Sequence, residues 1–167
     1  MTTMKKHYSI ISLIVEDEPG VLARIATLFS RKGYNLETVN VGKIPGKNLS
    51  SMIFTVYASE STLEQIIKQT EKLVRTVNVT VHSDEESVVR EHCLIRLESN
   101  GKSISQIKSI AKEFNARILF EGKDNIILEL VDSPQKINEF VTSFKEAKVN
   151  ELRRSGINAV TKNGVDD

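Results

Sequence analysis

Tyr8-Ser9-Ile10-Ile11-Ser12-Leu13-Ile14-Val15, then Glu16-Asp17-Glu18-Pro19-Gly20, then Val21-Leu22-Ala23-Arg24-Ile25: these three adjoining stretches decide the fold. The first is short, apolar and β-branched, and it runs into turn residues, which predicts a buried strand. The second is a break. Pro is accepted in the first turn of a helix, and an acidic residue just ahead of it can cap. The third begins an apolar stripe, Leu22, Ile25, Ala26, Leu28 and Phe29, at helical spacing. That helix ends at Arg31-Lys32-Gly33, with cations in its last turn and Gly at the stop. Leu36–Ile44 alternates as a strand, Pro45-Gly46-Lys47-Asn48 is a turn, and Met52–Tyr57 is the next strand. Ser61-Thr62-Leu63-Glu64 fits a capping box. The helix behind it carries Leu63, Ile66, Ile67, Leu73 and Val74, with Glu64–Lys68 and Glu71–Arg75 as ion pairs one turn apart. Val77, Val79 and Val81 alternate with polar residues as a half-buried strand. The order is β-α-β-β-α-β.

The same order then repeats. Ser83-Asp84-Glu85-Glu86-Ser87 is a polar, charged linker between residues 1–82 and residues 88–167. Val88–Leu97 reads as a strand. Ser103–Phe114 reads as a helix with a capping box at Ser103 and Gln106 and a stripe at Ile104, Ile107, Ile110, Ala111 and Phe114. Ala116–Phe120 and Asn125–Val131 form a hairpin about Glu121-Gly122-Lys123-Asp124. Ser133-Pro134 opens a helix with Ile137, Phe140, Val141 and Phe144. Val149–Leu152 is the last strand, and the residues beyond it, Ile157–Val160 included, are a tail that packs back. The expected class is therefore α+β: two tandem β-α-β-β-α-β sandwiches of the ferredoxin-like type, each an antiparallel sheet with two helices on one face. Units this small bury only about 60% of their unfolded surface and leave sheet edges bare. A homodimer is the expected remedy.

Composition narrows the function. The chain has 167 residues, 23 Lys and Arg against 22 Asp and Glu, 40% hydrophobic and 27% charged residues, no Trp and one Cys. Near-zero net charge and few aromatics argue against nucleic-acid binding. One cysteine excludes an intramolecular disulfide. No apolar run reaches the roughly 18 residues of a membrane helix, and no leader segment is visible, so a cytoplasmic protein is expected.

Most chemical motifs dissolve on inspection. Asn100-Gly101-Lys102-Ser103 imitates the end of a phosphate-binding loop, but Arg96 stands where that loop needs Gly. Cys93 lacks a second Cys for zinc and reads as a small core residue. His7, His82 and His92 are scattered, with no ligand partner one turn away. No serine, histidine and acid arrangement stands out. Glu85-Glu86 reads as solvated linker. Asn48-Leu49-Ser50 and Asn78-Val79-Thr80 match the glycosylation pattern, idle in the expected compartment.

One loop keeps a chemical meaning. Glu16–Leu22 joins a buried strand to a helix N-terminus, whose exposed N–H groups and partial positive charge can hold a carboxylate. Gly20 lets a ligand approach the backbone closely. Asp17 offers an anion to an ammonium. Asn35, just beyond Gly33, donates and accepts, and enters its strand near the same end of the molecule or near its counterpart across a dimer. Carboxylate, ammonium and an apolar remainder describe an amino acid. The competing reading is structural, with Asp17 only capping the helix and Gly20 only permitting the turn.

A strand followed by Asp17-x-Pro19-Gly20-x-Leu22 in such a unit resembles the ACT domain, a small-molecule sensor that binds amino acids at paired interfaces. Glu16–Ile25, Leu28–Val39, Leu63–Gln69 with Lys72-Leu73-Val74, Arg90-Glu91 and Arg154-Ser155-Gly156-Ile157-x-Ala159 together resemble the regulatory small subunit of acetohydroxyacid synthase, also called acetolactate synthase. That resemblance implies a non-catalytic chain in branched-chain amino acid biosynthesis. Such a chain binds and activates a large catalytic subunit and confers feedback inhibition by valine or a related amino acid. It holds no cofactor or metal of its own, since thiamine diphosphate, Mg and FAD belong to the catalytic subunit. It also implies site roles: Gly20, Val21 and Leu22 give main-chain N–H groups to the effector carboxylate, Asp17 and Asn35 hold the effector from the sides, and Leu36 adds main-chain contact. Asp17 often is Asn in the family, Leu36 and Thr38 stand for close analogues, and Ser51 stands where Arg is expected. The alternative function is a free-standing amino-acid sensor acting on another enzyme or a transcription factor. An RNA-binding protein of the same broad fold lacks its aromatic, Gly-rich signature here.

Overall fold

The computed structural model describes residues 6–72, 76–83, 85–98, 103–144 and 147–164. Its first repeat runs β1 (His7–Glu16), α1 (Val21–Arg31), β2 (Leu36–Lys43), β3 (Leu49–Ala58), α2 (Glu60–Glu71) and β4 (Thr76–His82). Its second runs β5 (Ser87–Glu98), α3 (Ser103–Glu113), β6 (Arg117–Glu121), β7 (Asn125–Asp132), α4 (Pro134–Ser143) and β8 (Val149–Thr161). The strands form two four-stranded sheets, ordered β2-β3-β1-β4 and β6-β7-β5-β8. The tandem β-α-β-β-α-β sandwiches expected from the alternation of strand and helix patterns are present. The chain divides into two compact units, Met1–Val88 with Ile157–Asp167, and Val89–Gly156. Among the described residues no helix is long and apolar enough to cross a membrane.

In the first unit one face of the sheet supplies the core. Ile11, Leu13 and Val15 of β1 and Met52, Phe54 and Val56 of β3 meet Val21, Ile25 and Phe29 of α1 and Ile66 of α2. Fully burying such a side chain stabilises the fold by about 1.5–3 kcal/mol. The helix stripe is thus Val21, Ile25 and Phe29, while Leu22 and Ala26 face outward. At the far end of α1 the Gly33 N–H donates to the Ser30 carbonyl and the Tyr34 N–H to that of Phe29, with Gly33 at φ +69°. That is the left-handed stop the sequence announces. Val77 and Val81 are more exposed than an ideal alternation implies, because β4 is an edge strand with an irregularity opposite Ile14 and Val15.

Two local expectations are revised. Ser59, not Ser61, caps α2: its hydroxyl accepts from the Thr62 N–H at 3.4 Å, since the helix begins at Glu60. The segment expected as a short strand and a tail is one strand, β8, through Thr161, with Gly156 at φ +79°. Leu73, Val74, Arg75, the phosphate-loop look-alike and the Ser103 side chain lie outside the described residues. The helix start expected at Ser133-Pro134 holds, the Ser133 hydroxyl accepting from the Lys136 N–H at 3.3 Å with Pro134 in the first turn.

The second unit packs Cys93, Ile95 and Leu97 of β5 and Ile126, Leu128 and Leu130 of β7 against Ile107, Ala111, Ile137, Phe140 and Phe144. At its margin Glu91, almost fully buried, accepts a two-pronged hydrogen bond from Arg154 at 2.9 and 2.5 Å, and Arg154 also donates to the Asn138 side chain at 2.8 Å. β5, β8 and α4 are thereby joined by one cation. Removing one partner of a buried pair leaves the other charge stranded. Arg154→Met should lower the unfolding free energy by about 3 kcal/mol, and adding Glu91→Gln should restore much of it. Urea denaturation of the two variants measures both.

Candidate functional site

The strand–turn–helix loop is shaped by one carboxylate. Asp17 leaves β1 and its N–H donates to the Asn48 carbonyl at 3.0 Å. Its Oδ2 meets Lys43 Nζ at 2.6 Å, and its Oδ1 accepts from the Ser50 hydroxyl at 3.0 Å. The Lys43 ammonium first, then the Ser50 hydroxyl, hold the Asp17 carboxyl below its ordinary value, against partial desolvation. Asp17 therefore does not cap α1. Pro19 lies ahead of the helix, Gly20 occupies the cap position at φ +85°, and no side chain caps the first turn. The space where a Gly20 Cβ would point is open. The glycine is required by its left-handed backbone rather than by crowding. The Val21 N–H returns to the Glu18 carbonyl at 3.3 Å, so one of the three amides expected at a carboxylate site already has an acceptor. The Val21 side chain is buried in the core and that of Leu22 is exposed.

Asp17, Gly20, Val21 and Leu22 come together at one end of the sheet. Asn35 and Leu36 do not join them within a chain. Leu36 pairs with Val56, which pairs with Ser9, whereas Lys43 pairs with Ser50 and Glu16 with Leu49. From Ser9 to Glu16 a strand advances about 23 Å, so the start of β2 lies at the opposite end of the sheet from Asp17. Of the two placements expected for Asn35, the one near the same end of a single molecule is corrected, and the one across a dimer is the alternative that stands. The cause is the helix, which must reverse direction so that β2 starts beside the start of β1. Asn35 is exposed there and donates to the Glu37 carboxylate at 2.8 Å, while Leu36 packs partly on the core.

Lys43 and Ser50 were not singled out in the sequence. The hairpin signal could have found them, because closing β2 and β3 about Pro45–Asn48 sets these two residues opposite each other. Ser51, where Arg was expected, is half-buried between Ile14 and Gly42.

His82 and His92 have structural partners, and Cys93 is buried in the core. His82 sits between the hydroxyls of Ser12 at 2.8 Å and Ser87 at 2.9 Å, and burial lowers its pKa. His92 lies 3.1 Å from Glu129. Burial pushes the Cys93 thiol up to about 11, which makes it a poor nucleophile near neutral pH. Among the described residues no three His, Cys, Asp or Glu side chains cluster as metal ligands.

A βαββαβ sandwich whose first strand breaks at Asp-x-Pro-Gly into an uncapped helix is an ACT-type domain, and the comparisons agree. Residues 11–78 match the family described as the acetohydroxyacid synthase small subunit-like ACT domain. Residues 90–163 match the family described as the small subunit of acetolactate synthase. A probable acetolactate synthase small subunit of Archaeoglobus fulgidus is 37% identical over 146 residues, covering 87% of this chain and 91% of its own. The acetolactate synthase small subunit of Mycolicibacterium smegmatis is 32% identical over 152 residues, covering 91% and 89%. The crystal structure of the acetolactate synthase small subunit from Thermotoga maritima superposes with a TM-score of 0.86 at 30% identity, covering 95% of this chain and 99% of that one. The chain belongs to the acetolactate synthase small-subunit family.

The sign of the Asp17 shift sets a pH expectation. A carboxyl whose folded pKa is depressed contributes stability above its unfolded value, and loses it as pH falls through the folded pKa. Carbon-detected NMR titration should place the Asp17 midpoint below that of an ordinary aspartate. In Lys43→Met the midpoint should move up, since the largest cause of the depression is gone.

Proposed function

We propose that this chain is the non-catalytic regulatory subunit of an acetolactate synthase. It binds the thiamine-diphosphate-dependent catalytic subunit, raises its activity, and confers feedback inhibition by valine or a related branched-chain amino acid. The observation that carries this reading is the likeness to small subunits in order through both repeats, at 30–37% identity over most of the chain. The cofactors belong to the catalytic subunit.

The effector site in this reading spans two copies of the chain. β2 is an outer strand of the first sheet, and Val39 and Val41 on it are each 42% exposed. An edge of this kind calls for a partner. Antiparallel pairing of β2 with β2 of a second copy, about a two-fold axis, sets the Asp17 end of one beside the Asn35 end of the other. The amino acid then takes main-chain N–H groups of Gly20 and Leu22, with that of Val21 shared with Glu18, on its carboxylate. Asp17 takes its ammonium, and Asn35 and Leu36 close the far side. Because the site straddles the interface, an effector favours one arrangement of the two copies, and that preference is what the catalytic subunit reads.

The direct test is to mix the purified chain with a cognate acetolactate-forming catalytic subunit. The rate should rise, and valine should lower it. A rate indifferent to the chain would refute the regulatory role. Gly20→Asp places bulk and negative charge over the first helical turn, in a residue type that accepts the left-handed conformation. This variant should still activate but lose valine inhibition. Asp17→Ala should weaken valine binding about tenfold by calorimetry.

A further inference from the structure

Asp17 as an ammonium ligand meets an obstacle in the geometry. Both of its oxygens are committed, Oδ2 to Lys43 and Oδ1 to Ser50. Each oxygen keeps a second lone pair, but an ammonium drawn to Asp17 beside the Lys43 ammonium, 2.6 Å from Oδ2, meets like-charge repulsion, which is relieved when one partner moves aside. Ser50 is 4% exposed and sits within the β3 ladder, paired on both sides, so its hydroxyl has little room to leave. Lys43 ends β2 on a flexible four-carbon stem, and its side chain is 80% exposed. Lys43 is the partner that can move.

Where its ammonium goes is decided by charge. A simple amine replacing Lys43 on Asp17 leaves one uncompensated cation beside the loop. A simple acid drawn to Lys43 leaves the Asp17 carboxylate without its cation. A zwitterion leaves neither. Its ammonium takes the place of Lys43 on Asp17, and its carboxylate meets the displaced Lys43, so one ion pair becomes two and net charge is unchanged. Charge-assisted hydrogen bonds of this kind are stronger than neutral ones. Ser50, still bonded to Oδ1, keeps the Asp17 carboxylate aimed during the exchange.

On the effector reading given above, we propose that Lys43 is an effector-binding residue: the Asp17–Lys43 ion pair opens to admit an amino acid, Asp17 holding its ammonium and Lys43 joining the main-chain N–H groups of the first helical turn on its carboxylate. The pair is then a filter for zwitterions. It discriminates against the corresponding 2-oxo acid, which has no ammonium, and against the amine, which has no carboxylate, while the apolar side chain is left for the rest of the site to judge.

The test pairs a residue change with a ligand change, on the full chain by calorimetry. Valine and valinamide are the probes, valinamide carrying a neutral amide in place of the carboxylate, at a slightly acidic pH where its amine is protonated. Lys43→Met should weaken valine about tenfold and tighten valinamide, whose ammonium no longer competes with a cation on Asp17. Lys43→Arg should bind valine nearly as the wild type does, since a guanidinium pairs with a carboxylate equally well. Valine affinity unchanged in Lys43→Met would overturn the proposal. So would tighter valine binding, which would make Lys43 only a competitor for Asp17. Circular dichroism of the variant checks that this exposed change leaves the fold intact. Wild-type protein that binds neither valine nor valinamide would instead remove the effector site itself, and this role for Lys43 with it.

Discussion

A strand, a helix and a second strand laid in the same direction put the two ends of the helix at opposite ends of the sheet. Everything distinctive about the first unit follows from that constraint. Asp17 and Gly20 sit where β1 hands over to α1, and Asn35 sits where α1 hands over to β2, about 23 Å away along the strands. A single copy of the unit cannot gather these residues around one small molecule. A two-fold partner joined along β2 can, and the exposed valines of that edge offer a surface for it. On this account the fold makes regulation collective, because the effector site exists only where copies meet.

On the same account, local electrostatics decide what the loop accepts. With Asp17 drawn to Lys43 and Ser50, the first turn of α1 is left without a side-chain cap. Uncapped N–H groups favour an anion, and a carboxylate favours a cation. Both demands next to each other suit a molecule carrying both charges. The second unit uses charge differently. Its Glu91–Arg154 pair is mostly enclosed and braced by Asn138, joining two strands to a helix. One pair is poised for exchange at the surface, and the other is locked into the frame.

Much of this was legible in the residues. The β-branched run at Tyr8–Val15, the Gly33 stop, the Ser133-Pro134 start and the hairpin turn at Glu121–Asp124 each name their element, because local preference and burial point the same way there. The break at Glu16–Gly20 marked the turn between β1 and α1. What failed to show were features set by register rather than by composition. Ser59 and Ser61 are equally good caps, and only the start of the helix chooses between them. Lys43 looks like any lysine before a turn until the hairpin closes and sets it across from Ser50. Asn35 looks close to Asp17 in sequence, but direction, not distance along the chain, separates them. Arg90-Glu91 and Arg154-Ser155-Gly156 read as family markers, yet the contact between Glu91 and Arg154 exists only in three dimensions.

The claim that one effector site is shared between two copies is tested most directly by complementation. Asp17→Ala and Asn35→Ala chains are prepared separately, then mixed, allowed to exchange, and titrated with valine. Each alone should bind poorly, since every one of its sites carries the lesion. In the mixture, dimers with one chain of each kind hold one intact site and one doubly damaged site, so about a quarter of all sites should bind at wild-type affinity. A mixture that binds no better than its two parents would contradict the shared site.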